Sequence, residues 1–373
     1  MTHTDVTVPL IDLDDARLRA RVQHLLDNKT KPQGSLGQIE ALALQLALIQ
    51  GRDAPRLHQP HMLVCAADHG IAARGVSAFP SDVTWQMVEN FLAGGAAVSV
   101  LARQHGIALT VADCGVRHDF IAGRGTRPGL IVAKAAHGTA DCTQGPAMSR
   151  AVCAAAIAHG ETIVKALPGN ALLLGEMGIG NTSAAALLMT RFTGVPIEQC
   201  TGRGTGLDDA GVARKLTVLR EALALHGGAT EALDILAALG GLEIATLTGA
   251  ILQAARERRV IVVDGFITGA ALLAAHALQP LVLQRCVFAH CSAEAGHARM
   301  LKHFGATPLL SLGLRLGEGS GAALAWPLLE SACRMLSEMA SFESASVSNS
   351  NVSNAGVSNT SVSNAGASNQ GAA

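Results

Sequence analysis

Short apolar runs alternate with longer alanine-rich stretches through most of the chain from about His61 onward. The runs end in polar or glycine residues, and nearly all are apolar on both faces, as expected for parallel strands covered by helices on both sides. The pattern therefore predicts an α/β fold, with a parallel sheet flanked by helices. The candidate strands are 62–67, 108–115, 171–176, 260–265, 281–290 and 308–314.

Both ends of the chain depart from this alternation. Residues 12–27 and 36–50 are predicted to form two helices, the second with apolar side chains at steps of three or four. After Phe342 the sequence is dominated by Ser, Asn, Gly and Ala, and Val-Ser-Asn recurs every five residues from Val347. Such a polar composition cannot bury a core, so a disordered low-complexity tail is predicted at 343–373.

Composition narrows the classes of function. The 28 Lys and Arg residues balance 29 Asp and Glu residues, and the sequence has no run of basic residues that could bind along a phosphate backbone. Both features argue against a nucleic-acid partner. The eight cysteines form no Cys-x-x-Cys pair and the N-terminus lacks the features of a signal peptide, so we expect reduced thiols in a cytoplasmic protein. The uncharged stretch 266–284 is interrupted by Pro280, which favours a buried helix leading into a strand over a membrane span.

The segment 172–186 carries the most informative chemistry. An apolar run ends at Glu176, which is bracketed by glycines, and an alanine-rich helix follows from Asn181. A helix that begins after a glycine turn presents backbone N–H groups and the positive end of its dipole, which suit an anion such as phosphate. Because Glu176 would repel phosphate, we expect a ligand that also has a polar or cationic part.

Other polar residues come at the ends of the predicted strands. These ends meet at one edge of a parallel sheet, where open α/β sheets bind their ligands. Glu318 lies between glycines, and burial beside a ligand would raise its pKa toward the working pH of a general base. The alternative is a solvated loop acid, or one that caps the helix from Ser320. The strand-end residues are Asp68, His69, Asp113, Glu176, Asp264, His290 and, just beyond the last strand, Glu318.

Histidine and carboxylate residues at strand ends also allow a metal site. The candidate ligands are Asp68, His69, His290, Glu294 and His297, the last three at helical spacing. In the alternative, Ser292 caps a helix and the histidines pack or form hydrogen bonds. A phosphate-binding P-loop and a dinucleotide-binding fingerprint are both missing from the glycine-bearing segments 67–80, 201–209, 264–274 and 314–325.

Seven segments follow one another in a distinctive order between about Lys29 and Met335. They are KPQGSLGQIE at 31–40, a segment opening ADHGIAARGVSAFP at 67–103, LLLGEMGIGNTSAAA at 172–186, TGRGTGLDDAGVARK at 201–215, DGFITGAALLA at 264–274, HCSAEAGH at 290–297 and LGLRLGEGSGAALA at 312–325. Together they resemble the nicotinate-nucleotide:dimethylbenzimidazole phosphoribosyltransferase family.

The resemblance implies an activity and an architecture. Such enzymes transfer 5-phosphoribosyl from nicotinate mononucleotide to 5,6-dimethylbenzimidazole, giving nicotinate and alpha-ribazole 5'-phosphate for the lower ligand of cobalamin, with neither cofactor nor metal. The implied fold is a Rossmann-like parallel sheet in a large catalytic domain, 56–321, with a small helical domain built from 1–55 and 322–342. The family also implies a homodimer.

The resemblance further implies roles for individual residues. Glu318 matches the catalytic glutamate that takes the proton, and Glu176 matches a second acid of the site. Phe79 stands before Pro80 where the family often has a hydroxyl, so a hydrogen bond to the base is lost and other benzimidazoles, purines or phenolics become candidate acceptors. The ribose phosphate would be held by Gly178, Gly180, Asn181, Thr182, Gly202, Arg203, Gly204, Lys215 and Ser292, and the benzimidazole by Phe79, Met87, Met177 and Leu316.

Two rival functions stay open on the sequence. One is a metal-dependent hydrolase whose site is built from Asp68, His69, His290 and His297. The other is a non-catalytic nucleotide-binding regulator, in which Glu176 and Glu318 are only loop acids. The hydrolase would lose activity with a chelator and tolerate Glu318→Gln, whereas the regulator would bind nicotinate mononucleotide without releasing nicotinate. The transferase predicts that Glu318→Gln sharply lowers turnover.

Overall fold

The computed structural model of the protein describes residues 9–120 and 127–348. Its centre is a six-stranded sheet in which every neighbouring pair is parallel, in the order β3-β2-β1-β4-β5-β6. The predicted α/β class is confirmed. The strands are β1 (His61–Ala67), β2 (Ala108–Gly115), β3 (Leu130–Val132), β4 (Ala171–Met177), β5 (Val260–Val263) and β6 (Cys286–Phe288).

Helices cover both faces of the sheet. They are α1 (Ala16–Asp27), α2 (Gln38–Gln50), α3 (Val83–Ala93), α4 (Ala97–Gln104), α5 (Arg150–Ala166), α6 (Asn181–Thr193), α7 (Ile197–Cys200), α8 (Asp209–Leu225), α9 (Ala232–Leu239), α10 (Leu242–Arg256), α11 (Phe266–Leu278), α12 (His297–His303) and α13 (Ser320–Glu338). The face that carries Leu63 and Cys65 packs against α5 to α12. The opposite face, with Met62 and Val64, packs against α1 to α4 and α13. Double-sided burial explains why β1 is apolar at consecutive positions.

Two predicted strands need correction. The segment 281–290 forms strand only at β6, because Pro280 begins a 3-10 helix, Pro280–Arg285, that occupies its first half. The segment 308–314 is not a strand: it pairs with the sheet only through a single bridge from Leu310 to His290, and Gly313 has a φ of +68°, which extended backbone cannot adopt. Strand β3 was not predicted.

The two ends of the described chain meet on one face of the sheet. Helices α1, α2 and α13 share one apolar cluster, and the Lys29 ammonium donates to the carbonyl of Met339 at 2.6 Å. Lys31 and Glu40 form a buried ion pair of 2.8 Å at the start of α2. This packing agrees with a helical unit built from both ends, but the domain limits stay a prediction. Of the predicted tail, residues 349–373 lie outside the described residues.

The stretch predicted to be a buried helix is indeed one: ten consecutive residues of α11, 266–275, are buried. Within 9–120 and 127–348 no helix is both long and apolar enough to cross a membrane. The eight cysteines are all free thiols, and all but Cys291 are buried.

The order of the strands locates the functional edge. The chain leaves β1 to one side to build β2 and β3, then crosses to the other side for β4, β5 and β6. The carboxyl ends of β1 and β4 therefore diverge at a topological switch point, which is where open α/β sheets form their ligand crevice. Glu176 lies at the end of β4, directly at this point.

Candidate active site

A pocket opens at the carboxyl ends of β4, β5 and β6 and reaches the start of α13. Ten of the predicted site residues line it, although they come from five separate segments of the sequence. The sequence therefore identified much of the surface of this pocket. Those ten are Phe79, Glu176, Met177, Gly178, Asn181, Thr182, Gly204, Ser292, Leu316 and Glu318.

Glu318 is held in an unusual turn. Residues 317, 318 and 319 have φ values of +76°, +66° and +90°, so a non-glycine residue adopts the left-handed conformation directly before α13. The carboxyl group is buried, and its Oε2 has no hydrogen-bond partner among the described residues. Burial raises the pKa of Glu318 to about 7. A free carboxyl that titrates near neutrality is suited to accept a proton.

Glu176 lies beside Glu318 at the end of β4. Its Oε2 accepts a hydrogen bond from the side-chain amide of Asn181, and its Oε1 accepts one from the backbone N–H of Glu318 at 3.4 Å. Burial raises the pKa of Glu176 to about 8, and the nearby carboxylates of Asp264 and Glu243 add to this rise. The ionised form of the Glu176 carboxyl is therefore disfavoured at this position.

Asp264 and His290 also face the pocket. Asp264 follows β5, and its Oδ1 accepts the backbone N–H of Ala322 at 2.8 Å. Burial raises the pKa of Asp264 to about 7, while it lowers the pKa of His290, whose Nε2 lies 3.7 Å from Asp264 Oδ1. The sequence placed both at strand ends but assigned Asp264 no role.

Two of the predicted phosphate residues, Thr182 and Gly204, lie beside a buried cation. Lys215 on α8 is fully buried, and its Nζ donates to Thr182 Oγ1 at 2.8 Å, which brings α8 to the start of α6. A Cβ added at Gly204 would lie 3.4 Å from that Nζ. Burial lowers the pKa of Lys215 to about 8, and the charge of Glu294 partly offsets this shift. The ammonium has little solvent around it, so an anion at this point would be a strong partner.

Gly202 and Arg203 line a second cavity, which shares Gly204, Glu294 and Arg315 with the first. The Arg203 guanidinium pairs with Asp209 and donates to the carbonyl of Leu207 at 2.9 Å, so it is already engaged at the rim. Burial raises the pKa of Glu294, and the charges of Lys215 and Arg315 oppose the rise.

Five predicted residues do not line the first pocket: Gly202, Arg203 and Lys215, described above, and Met87 and Gly180. Met87 on α3 is half-buried against the apolar cluster under that helix. Gly180 is the residue before α6 and packs against His69. A Cβ added to Gly180 would lie 3.3 Å from the Cβ of His69. Gly180 therefore shapes the turn below the pocket. The structure adds Thr205, Phe266, Ile267, Thr268 and Arg315 to the lining, and all five lie in the glycine-bearing segments 201–209, 264–274 and 314–325 that the sequence singled out.

The residues of the metal hypothesis have other partners. His69 Nε2 lies 2.7 Å from Glu243 Oε1, and Asp68 Oδ2 accepts the backbone N–H of Arg117. Helix α12 begins only at His297, with Gly296 before it, so residues 290, 294 and 297 do not share a helix face and Ser292 is not its cap. Across the two described ranges, no three His, Cys, Asp or Glu residues are grouped to hold a metal ion.

Fold and site together define an α/β enzyme with a buried cation and a group of raised-pKa carboxyls at the ends of its strands. The family model described as Phosphoribosyltransferase matches residues 11–347. A solved crystal structure of CobT from Thermus thermophilus superposes with a TM-score of 0.86 at 40% identity, covering 89% of this chain and 99% of that chain. The enzyme is a phosphoribosyltransferase.

Two curated relatives identify the family within the phosphoribosyltransferases. A protein of Variovorax paradoxus (strain S110) is 68% identical over 345 residues, covering 92% of this chain and 98% of the relative. One of Cupriavidus necator is 58% identical over 333 residues, covering 88% and 95%. Both are named nicotinate-nucleotide--dimethylbenzimidazole phosphoribosyltransferase. The chain belongs to this family of pentosyltransferases, and the resemblance found in the sequence is confirmed.

Proposed function

We propose that this enzyme transfers 5-phosphoribosyl from nicotinate mononucleotide to 5,6-dimethylbenzimidazole, giving nicotinate and alpha-ribazole 5'-phosphate for the lower ligand of cobalamin. The observation that carries the proposal is the unpartnered carboxyl of Glu318, buried in the same pocket as the phosphate-suited start of α6. The names of the relatives supply the two substrates.

In the proposed reaction one nitrogen of the benzimidazole bonds to C1' as the bond from C1' to the nicotinate nitrogen breaks. The electron pair of that bond returns to the pyridine ring, which enters as a cation and leaves neutral at nitrogen. The new nucleotide then carries positive charge on its base until the other N–H is lost to Glu318. A pKa near 7 suits Glu318 to this step, because it is partly ionised before the reaction and can hold the proton afterwards.

Glu176 is proposed to stabilise the positive charge that develops on the ribose or to orient its hydroxyls. Its pKa of about 8 reflects burial and the nearby charges of Asp264 and Glu243. A cationic pyridinium or an oxocarbenium-like ribose beside it would favour the carboxylate, since an opposite charge at close range lowers the pKa of an acid. The negative carboxylates then lie close to positive charge that is greatest in the transition state. Stabilising the transition state more than the bound substrate raises the rate.

The remaining residues fall into two groups, one suited to the phosphate and one suited to the aromatic base. Lys215, Thr182 and the glycines of 178–180 and 202–204 are proposed to hold the 5'-phosphate, with Asn181, Arg203 and Ser292 beside them. An apolar wall from Phe79, Met177 and Leu316, extended by Phe266, suits a flat aromatic base. Phe79 and Leu316 are 52% and 55% exposed, so they form an outer wall that a bound ring would cover. Met87 is the least supported member of this set, because it packs against the apolar cluster under α3 and does not line the pocket.

The proposed reaction uses no metal, because the nicotinate ring leaves neutral at nitrogen and Glu318 accepts the one proton that the benzimidazole loses. We also propose that the enzyme acts as a cytoplasmic homodimer, as the family resemblance implies. The active site is proposed to belong to a large domain of residues 56–321.

The test is a chromatographic assay with nicotinate mononucleotide and 5,6-dimethylbenzimidazole, with and without EDTA, in which nicotinate and the new nucleotide are quantified together. The proposal expects equal amounts of both products and no effect of the chelator. Nicotinate without the new nucleotide would indicate hydrolysis or another acceptor. Binding of nicotinate mononucleotide without any release would indicate a non-catalytic regulator.

A further inference from the structure

Asp264 makes a long-range connection that no sequence motif describes. It directly follows β5 and is 2% exposed. Its Oδ1 accepts the backbone N–H of Ala322 at 2.8 Å, and its Oδ2 accepts that of Gly319 at 3.3 Å. One carboxylate at the end of a central strand therefore holds two amides at the start of α13, on either side of Ser320 and Gly321.

The start of α13 needs such a partner. The first amides of a helix have no acceptor within the helix, and a side chain at the N-cap position usually supplies one. Here the N-cap is Gly319, which has no side chain, and the Ser320 hydroxyl donates to the carbonyl of Gly317. Asp264 is thus a cap supplied from another part of the chain. Contact is close: a Cβ added at Gly321 would lie 2.9 Å from Asp264 Oδ1.

The segment that this cap anchors contains Glu318. Left-handed backbone at a non-glycine residue costs free energy and persists only where its surroundings fix it. On one side, Glu176 accepts the backbone N–H of Glu318, and a Cβ added at Gly175 would lie only 2.4 Å from the carbonyl oxygen of Glu318. On the other side, Asp264 holds the next residue and the helix that follows. These contacts fix the backbone, so the direction of the Glu318 carboxyl depends on both neighbours.

We infer that Asp264 is a positioning residue for the reaction: it holds the turn 317–319 and the first turn of α13 so that the Glu318 carboxyl points into the pocket. The inference rests on the proposed role of Glu318 as the base. Asp264 is an acid whose two oxygens already accept amides at the start of α13, so we assign it no part in holding the phosphate. Loss of Asp264 should therefore impair the chemical step and leave substrate binding largely intact.

Asp264 also affects the charge of Glu318. Several ionisable groups face this cluster: Glu176 from β4, Glu243 from α10, His290 from the segment after β6, and Glu318 itself. Burial raises the pKa of Glu318, and the charge of Glu318 raises the pKa of Asp264. Because a charge interaction acts on both partners, an ionised Asp264 also disfavours the ionised form of Glu318. A neutral residue at 264 should therefore lower the pKa of Glu318 and shift the acid limb of the rate profile to lower pH.

The experiment compares Asp264→Asn with two other variants of the full chain. Asparagine keeps the volume of aspartate but offers one acceptor oxygen, so one of the two helix amides faces an N–H₂ group. Asp113→Asn is the matched control, since Asp113 is also a buried strand-end carboxylate that accepts two backbone amides, those of Gly115 and Val116, away from this pocket. Glu318→Gln tests the base itself. Each protein is measured for kcat, for KM with nicotinate mononucleotide, for the pH dependence of kcat and for melting temperature.

We expect Asp264→Asn to lower kcat about 10- to 100-fold with KM within about threefold of the wild type, and to move the acid limb of kcat to lower pH. Asp113→Asn should lower the melting temperature without moving that limb. Unchanged kcat in Asp264→Asn would overturn the inference. So would a loss of kcat that equals the unfolded fraction of the variant while the acid limb of its pH profile stays where it is in the wild type. Either result would leave the proposed function intact. If Asp264→Asn does not fold, Asp264→Ser, whose hydroxyl can accept one amide, is tested against the same expectations. Full turnover in Glu318→Gln would instead overturn the assignment of Glu318 as the base, and this inference with it.

Discussion

The backbone N–H of Glu318 donates to Glu176 Oε1 at 3.4 Å, which joins the end of β4 to the start of α13. The two residues are 142 positions apart in the chain. Their buried carboxyl groups share one pocket with that of Asp264, and the pKa values of all three acids are raised, to about 8, 7 and 7 for Glu176, Asp264 and Glu318. The cluster is costly to ionise in the free enzyme, and a cationic ligand would relieve that cost.

The raised pKa of Glu176 predicts an unusual dependence of stability on pH. Its folded-state pKa of about 8 lies above the ordinary value of 4.5, so the folded protein binds a proton that the unfolded chain has released. The free energy of unfolding contributed by this group therefore decreases as pH rises between these two values. At about 1.4 kcal/mol per pKa unit, Glu176→Gln should reduce the loss of stability between pH 5 and pH 8 by about 2–5 kcal/mol.

The measurement is chemical denaturation of the wild type and Glu176→Gln at several pH values. Only the difference in slope between the two proteins is diagnostic, because the lost hydrogen bonds can change stability at every pH. Glu330→Gln, an exposed substitution on α13, serves as the control and should follow the wild type. Parallel curves for the wild type and Glu176→Gln would show that the pKa of Glu176 is not raised.

Gly317 permits the close approach of the two acids. It has a φ of +76°, and an added Cβ would lie 2.3 Å from Glu176 Oε1. Gly313, in the same segment, has a similar φ of +68° but no atom within 4 Å of an added Cβ. Both alanine variants carry the backbone strain, but only Gly317→Ala displaces Glu176. We therefore expect kcat to fall at least about tenfold in Gly317→Ala and to change less than about threefold in Gly313→Ala, in steady-state assays. Equal losses would show that strain alone is responsible.

Lys215 should matter for substrates that carry the phosphate. Its buried ammonium lies 2.8 Å from Thr182 Oγ1 at the start of α6. A hydrogen bond to a charged group is worth about 1.5–3 kcal/mol, so Lys215→Met should raise KM for nicotinate mononucleotide about 10- to 100-fold. With nicotinate riboside, which lacks the phosphate, kcat/KM should stay within about threefold of the wild type. Lys302→Met, at an exposed lysine of α12, is the control. Similar losses on both substrates would contradict a phosphate contact.

The sequence predicted the buried strands better than the peripheral ones. Strands β1, β2, β4 and β5 follow from apolar runs, because burial on both faces leaves an uninterrupted pattern. Strand β3 has only three residues, none of them fully buried, so it leaves no such pattern. The segment 308–314 looks like a strand by composition, but its only bridge to the sheet is at Leu310, and Gly313 is not extended.

In the site, the sequence identified the residues with a local signal and missed roles that depend on long-range contacts. Glu176 and Glu318 stand out because glycines flank them, and the family resemblance gave both a role. The function of Asp264 depends on amides 55 and 58 residues further along the chain, and local spacing contains no trace of such a contact. Lys215 could be named from its motif, but its burial against Thr182, 33 residues away, needed the fold.

The most direct test of the central claim is the turnover of Glu318→Gln. Wild type, Glu318→Gln and the exposed control Glu330→Gln are compared at saturating nicotinate mononucleotide and 5,6-dimethylbenzimidazole, with nicotinate and the new nucleotide quantified together. A general base contributes about 10²–10⁴ in rate, so both products should form that much more slowly in Glu318→Gln, with KM within about threefold of the wild type. Turnover of Glu318→Gln close to that of the wild type would contradict the assignment of Glu318 as the base.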